Sequence, residues 1–111
     1  MLNQVILVGR LVKDPEVYET ENGKKVMTVV LAVSRSYKNM NGEYETDFIP
    51  CTLWQGVAEN TKEYCQKGNL IGIKGRLQMR KIETEEYPNN IIELIGERVT
   101  FLSNKHPETN E

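Results

Sequence analysis

The chain is short of most of what catalysis or membrane insertion requires. Its one histidine, His106, stands beside Pro107 near the C-terminus, so the body of the sequence has no material for a histidine-based triad or metal cluster. The two cysteines, Cys51 and Cys65, have no CxxC spacing and no histidine near them in sequence. They are expected to be small core thiols in a reducing compartment, without a structural disulfide. The carboxylates give no zinc or two-metal pattern, and no glycine-rich phosphate loop is present, because Gly72 and Gly75 fall inside a strand pattern. Catalysis and a cofactor are therefore not expected. No apolar run approaches the ~20 residues of a membrane helix, and the N-terminus lacks the charged-then-apolar layout of a signal peptide. A cytoplasmic protein with no membrane role is expected. Net positive charge is missing too: the formal charge is −2, which on its face argues against nucleic acid.

The distribution of charge reverses that argument. Between Asn60 and Ile82 the cations Lys62, Lys67, Lys74, Arg76, Arg80 and Lys81 face Glu63 alone. The acids gather at expected loops, from Asp14 to Glu21, Glu43 to Asp47 and Glu83 to Glu86, and at the C-terminus. The local field is then a better guide than the total. From Asn69 to Ile82 the pattern alternates with the period of a strand. Ile71, Ile73, Leu77 and Met79, with Gly75 between them, take one face; Lys74, Arg76, Gln78 and Arg80 take the other. Burying the first row would present the second as a basic stripe with a charge about every 7 Å. Charges on an outward face are often simply solvated, so the stripe alone decides little.

The remaining segments read as strands with one interruption. Asn3–Lys13 is aliphatic and β-branched, with Gly9 at an expected bulge or bend. Glu16–Glu21 is a short irregular strand between the turn signals Asp14-Pro15 and Asn22-Gly23. Lys25–Tyr37 is a long second strand, Asn39–Gly42 a loop, and Thr46–Gln55 a third strand. From Val57 to Lys67 the apolar period becomes helical through Val57, Ala58, Thr61, Tyr64 and Cys65, with Gly68 as the expected left-handed cap. Asn69–Ile82 and Ile91–Leu102 supply strands four and five, and an acidic tip joins them. Three strands, one helix and two strands suit an all-β fold: a five-stranded oligonucleotide-binding (OB) barrel with its helix between strands three and four. Residues 1–103 would form that domain, and 104–111 a short polar C-terminal tail.

The third strand supplies the second half of the functional argument. Ile49, Cys51 and Leu53 share one face, while Phe48, Pro50, Thr52 and Trp54 share the other. With the first set in the core, two aromatic rings stand outward beside a cationic row. Bases stack on such rings at roughly 1–3 kcal/mol each while cations follow the phosphates. The opposite orientation would send Ile49, Cys51 and Leu53 to solvent, which costs more. Tyr37, between Arg35 and Lys38, would extend the platform.

Several segments resemble bacterial and phage single-stranded DNA-binding proteins. They are Asn3-Gln4-Val5-Ile6-Leu7-Val8-Gly9-Arg10-Leu11 with Lys13-Asp14-Pro15-Glu16, and Leu31-Ala32-Val33 with Arg35-Ser36-Tyr37. Ala58-Glu59 to Tyr64 with Lys67-Gly68, and Gly75-Arg76-Leu77-Gln78 with Arg80-Lys81, complete the set. The resemblance runs from Met1 to about Leu102. It implies an OB fold assembled as a homotetramer, binding single-stranded DNA in replication, recombination, repair or DNA uptake, at the nucleoid. Carried over by position, the stacking aromatics are Tyr37, Phe48 and Trp54. Contacts to DNA are expected from Arg10, Arg35, Lys38, Lys62, Lys67, Lys74, Arg76, Arg80 and Lys81. Ile82 stands where relatives often have a fourth aromatic, with Tyr87 nearby, and Pro50 stands where a cation can occur. Longer relatives end in an acidic, hydrophobic tip that recruits replication enzymes; Asn104–Glu111 has no such tip, so recruitment through a tail is not expected. The competing reading is a primosome-type adaptor, a protein-interaction module on the same barrel. An RNA-binding barrel and a hydrolase rank below it.

Overall fold

Alternation and turn chemistry produce six strands and one helix in the computed structural model, which describes residues 1–82 and 89–103. In chain order these are β1 (Val5–Leu11), β2 (Tyr18–Glu19), β3 (Lys25–Lys38), β4 (Tyr44–Trp54), α1 (Gln55–Tyr64), β5 (Leu70–Ile82) and β6 (Asn89–Ser103). The expectations on the acidic tip from 83 to 88, on Tyr87, on the tail from 104 to 111 and on the side chain of Ile82 lie outside the described residues.

The strands join in the order β1-β5-β6-β4-β3, and β3 returns to β1 at Arg10↔Ala32 and Leu11↔Leu31, closing a five-stranded barrel. The two-residue β2 adds an edge to β3. All ladders are antiparallel except the β4–β6 closure, which is parallel and spans only Thr52↔Ile95 and Leu53↔Gly96. The barrel fills with alternate residues of its strands. Met27, Val29 and Leu31 of β3, Cys51 and Leu53 of β4, and Ile71 and Ile73 of β5 are buried together. Each full burial of such a side chain is worth roughly 1.5–3 kcal/mol. Helix α1 adds Ala58 and Thr61 to that core. Among the described residues no helix is long and apolar enough to cross a membrane.

Several expectations need correction. Helix α1 ends at Tyr64, so Lys67 lies beyond its last turn and Gly68 does not cap it. Gly68 takes φ +89° in the turn from Gln66 to Asn69, where its N–H donates to the Leu11 carbonyl. Tyr64 does not join the buried helix face; it is exposed and its ring lies 5.8 Å from that of Phe101. Gly9 marks no bulge, since the β1–β5 register runs unbroken through it. It allows β3 to pass closely instead, as a Cβ there would sit 2.6 Å from the Ala32 carbonyl oxygen. The β5–β6 register breaks instead at Leu70/Ile71 and at Lys74/Gly75, where a Cβ on Gly75 would meet the Ile95 carbonyl oxygen. The acids from Glu45 to Asp47 stand in a strand rather than a loop, because β4 begins at Tyr44.

The largest correction concerns β5. Ile71 and Ile73 are buried as alternation requires, but Leu77 and Met79 stay 41% and 58% exposed. Past Gly75, β5 has lost its pairing with β1 and continues with β6 alone as a projecting two-stranded arm. The Asn3 side chain holds the base of this arm. Its Nδ2 donates to the Leu77 carbonyl at 2.8 Å, and its Oδ1 accepts from the Leu77 N–H at 2.9 Å.

Candidate nucleic-acid interface

The outer surface of β3 and β4 is built from even-numbered residues. Val26, Thr28, Val30, Ala32 and Ser34 lie opposite Trp54, Thr52, Pro50, Phe48 and Thr46. Because Cys51 and Leu53 point into the core, alternation turns their neighbours outward. Phe48 is 63% exposed and Trp54 36%. Six residue steps of strand separate them, about 20 Å. Tyr37, 64% exposed, sits within the irregular stretch between Ser34 and Lys38. Lys38 places its Nζ 5.7 Å from the centroid of the Tyr44 ring, within cation–π range.

Two exposed aromatics of this region escaped the sequence reading. Tyr44 opens β4 with the same parity as Phe48. Tyr18 pairs with Val26, which pairs with Trp54, so Tyr18 and Trp54 share a cross-strand row and a face. The Tyr18 hydroxyl donates to Glu16 Oε1 at 2.6 Å, and that bond raises the phenol pKa above its ordinary value. Tyr44 could have been found from its even spacing with Phe48. Tyr18 could not, because its place depends on the pairing of three strands.

The expected cations fall into separate settings. Arg10 joins the platform through the row Phe48, Ala32, Arg10 and Leu70, and its Nη1 donates to the Gly68 carbonyl at 2.9 Å. Arg76 lies in the row Thr28, Thr52, Ile95 and Arg76. Arg80 lines a groove between platform and arm with Thr28, Pro50, Thr52, Ile91 and Glu93. Lys81 is exposed on the arm. Lys74 belongs elsewhere on the barrel, in a row with Ile6 and directly opposite Arg98, a cation that the sequence reading passed over. Lys62 and Lys67 are exposed on α1 and the turn after it, outside the rows that join the aromatics.

The stripe on β5 is less basic in three dimensions than in sequence. Arg76 Nε lies 3.1 Å from Glu97, and Arg80 Nε lies 3.6 Å from Glu93, both on β6. Arg35 is held more firmly. Its Nε and Nη2 donate to both oxygens of Asp47 at 3.0 Å, and Nη1 donates to Glu45 at 2.9 Å. Hydrogen bonding to Arg35 lowers the Asp47 carboxyl below its usual range, and the same bonds raise the guanidinium pKa. Neither cysteine is poised for chemistry: burial pushes the Cys51 thiol up to about 11 and raises Cys65 as well. Among the described residues, no three His, Cys, Asp or Glu side chains come together in a way that could hold a metal ion.

Comparison with known proteins agrees with this architecture. Residues 2–102 match the model of the single-strand binding protein family. The chain is 50% identical over 109 residues to single-stranded DNA-binding protein B of Bacillus subtilis, covering 97% of this chain and 96% of that protein. It is 47% identical over 107 residues to single-stranded DNA-binding protein A of the same organism, covering 96% of this chain but 62% of that longer protein. Among solved structures, a deletion mutant of the single-stranded DNA binding protein from Thermus aquaticus superposes with a TM-score of 0.77 at 26% identity. That match covers 92% of this chain and 51% of the other.

Proposed function

The chain belongs to the single-strand binding protein family, and from that premise we propose that it coats single-stranded DNA without catalysing a reaction on it. The observation that carries the reading is the exposure of Phe48 and Trp54 on a strand whose opposite face carries Cys51 and Leu53 into the core. Rings held outward by a rigid sheet offer every base a π-face, so binding is largely independent of sequence. Phe48, Trp54 and Tyr37 stack on bases. Arg10, Lys38, Arg76, Arg80 and Lys81 follow the phosphates, with Arg35, Lys62, Lys67 and Lys74 at the margins. Residues 1–103 are the binding unit, acting in replication, recombination, repair or DNA uptake in the cytoplasm.

Trp54 is the only tryptophan, so its emission reports on the site directly. Titration with oligo-dT should quench that emission to saturation at low salt and less so at high salt. An unchanged emission from folded protein would refute the stacking role.

Assembly follows from the same premise. The edge of β1 from Asn3 to Val8 pairs with a second copy, and exposed Ile6, Val8 and Leu102 are covered in a homotetramer. An unpaired edge of that length is otherwise an aggregation liability. Light scattering at micromolar concentration tests this, and a monomer would contradict it. The adaptor reading is not favoured, since the aromatic platform is intact and outward.

A further inference from the structure

The arginines of the arm are part of a continuous side-chain network. Glu97 Oε2 accepts from Arg76 Nε at 3.1 Å, and Arg76 Nη1 donates to Gln78 Oε1 at 2.6 Å. Gln78 Nε2 in turn donates to Glu93 Oε1 at 3.5 Å. Glu93 Oε2 accepts from Thr52 Oγ1 on the platform strand at 2.9 Å, with Arg80 Nε at 3.6 Å. The side chain of Glu93 is only 13% exposed, against 57% for Arg80, so this carboxylate sits deep in the groove between platform and arm.

A carboxylate anchored there is hard to account for in a surface meant only to attract phosphate. Glu97 beside Arg76, its side chain 51% exposed, adds a second carboxylate four residues along β6. Cations already paired to carboxylates of the protein neutralise fewer phosphates, so fewer of the counterions condensed on the nucleic acid are released on binding. An arriving phosphate must also share or displace the carboxylate. Resting on the proposed DNA-binding function, the geometry points to Glu93 and Glu97 as attenuating residues. They hold Arg80 and Arg76 in position while limiting how strongly the arm grips DNA. The grip is left to the stacking rings, and the bound strand stays exchangeable.

The test compares wild type with Glu93→Gln, Glu97→Gln and the double variant, each titrated with oligo-dT by Trp54 emission across a range of salt. Glutamine keeps the size and the acceptor oxygen, so Thr52 retains its partner. Glu97, at 51% exposed, can be replaced without touching packing. Each single variant should steepen the slope of log K against log salt by about 0.7, and the double variant by about 1.4. Affinity at low salt should rise at least threefold in the double variant. Glu93→Asp and Glu97→Asp should restore the wild-type slope, which loss of mere packing support would not explain. Unchanged slopes with normal wild-type binding would overturn the inference and leave the DNA-binding function standing. Weaker binding in the variants would overturn it too, by showing the carboxylates only as supports. Absence of wild-type binding would remove both.

Discussion

The two halves of β5 follow one alternation and end in opposite surroundings. Up to Gly75 the strand pairs with β1 on one side and β6 on the other, and Ile71 and Ile73 pack with Met27, Leu31 and Leu53. Beyond Gly75 the same period continues through Leu77 and Met79, yet among the described residues they stay 41% and 58% exposed. Alternation assigns side chains to faces; only a neighbouring element makes a face into core. The first half is scaffold, and the second is an arm carried on it.

Substitutions should separate the two halves sharply. Ile73→Ala is expected to cost about 2–5 kcal/mol of folding stability, read from the urea midpoint, whereas Met79→Ala should stay within about 0.5 kcal/mol. Equal losses would erase the distinction. The same contrast holds across β4, where Leu53 faces inward and Trp54 outward. Trp54→Ala should weaken oligo-dT binding by roughly 1–3 kcal/mol with little change in the unfolding curve; a large stability loss would make Trp54 part of the scaffold. At the boundary between the halves, Asn3→Ala removes the clasp on Leu77. It should cost about 1 kcal/mol and speed hydrogen exchange of the Leu77 amide, while amides near Ile73 stay protected.

The smallest effect concerns pH at the β3–β4 hairpin. Asp47 is depressed in the folded protein by its hydrogen bonds from Arg35, so its contribution is present at neutral pH and fades as pH falls through that lowered value. The stability gap between wild type and Arg35→Gln should therefore narrow on acidification. A gap that does not change with pH would show that Arg35 acts through packing alone.

The faces of the strands were legible in the sequence because they depend on near neighbours. The period placed Phe48 and Trp54 together, put Ile71 and Ile73 on one side, and located the change to helical spacing before β5. What the sequence hid depends on register between distant strands. Arg76 and Arg80 announce themselves as cations, but Glu97 and Glu93 come beside them only through the β5–β6 pairing. Lys74 looks like one more charge in a stripe until the register sets it opposite Arg98. Gly68 looks like a helix cap because it follows Lys67, and the helix had already ended at Tyr64. The end of burial at Gly75 is likewise set by where β1 stops, a partner that lies far away in sequence.

The parallel closure between β4 and β6 has a mechanical consequence. It joins the platform to the arm through two residue pairs, and a Cβ at Gly96 would lie 2.4 Å from Leu53 Cδ2, so a larger residue there would push that buried side chain aside. A sleeve fastened by so short a zip parts there before it tears along the long β3–β4 or β5–β6 ladders. Amides at Leu53 and Ile95 are then expected to exchange sooner than those of Val29 and Cys51. The gap opens between Trp54 and Arg80, so a taut strand lying across both would load the barrel at one of its two shortest seams, the other being the β1–β3 closure.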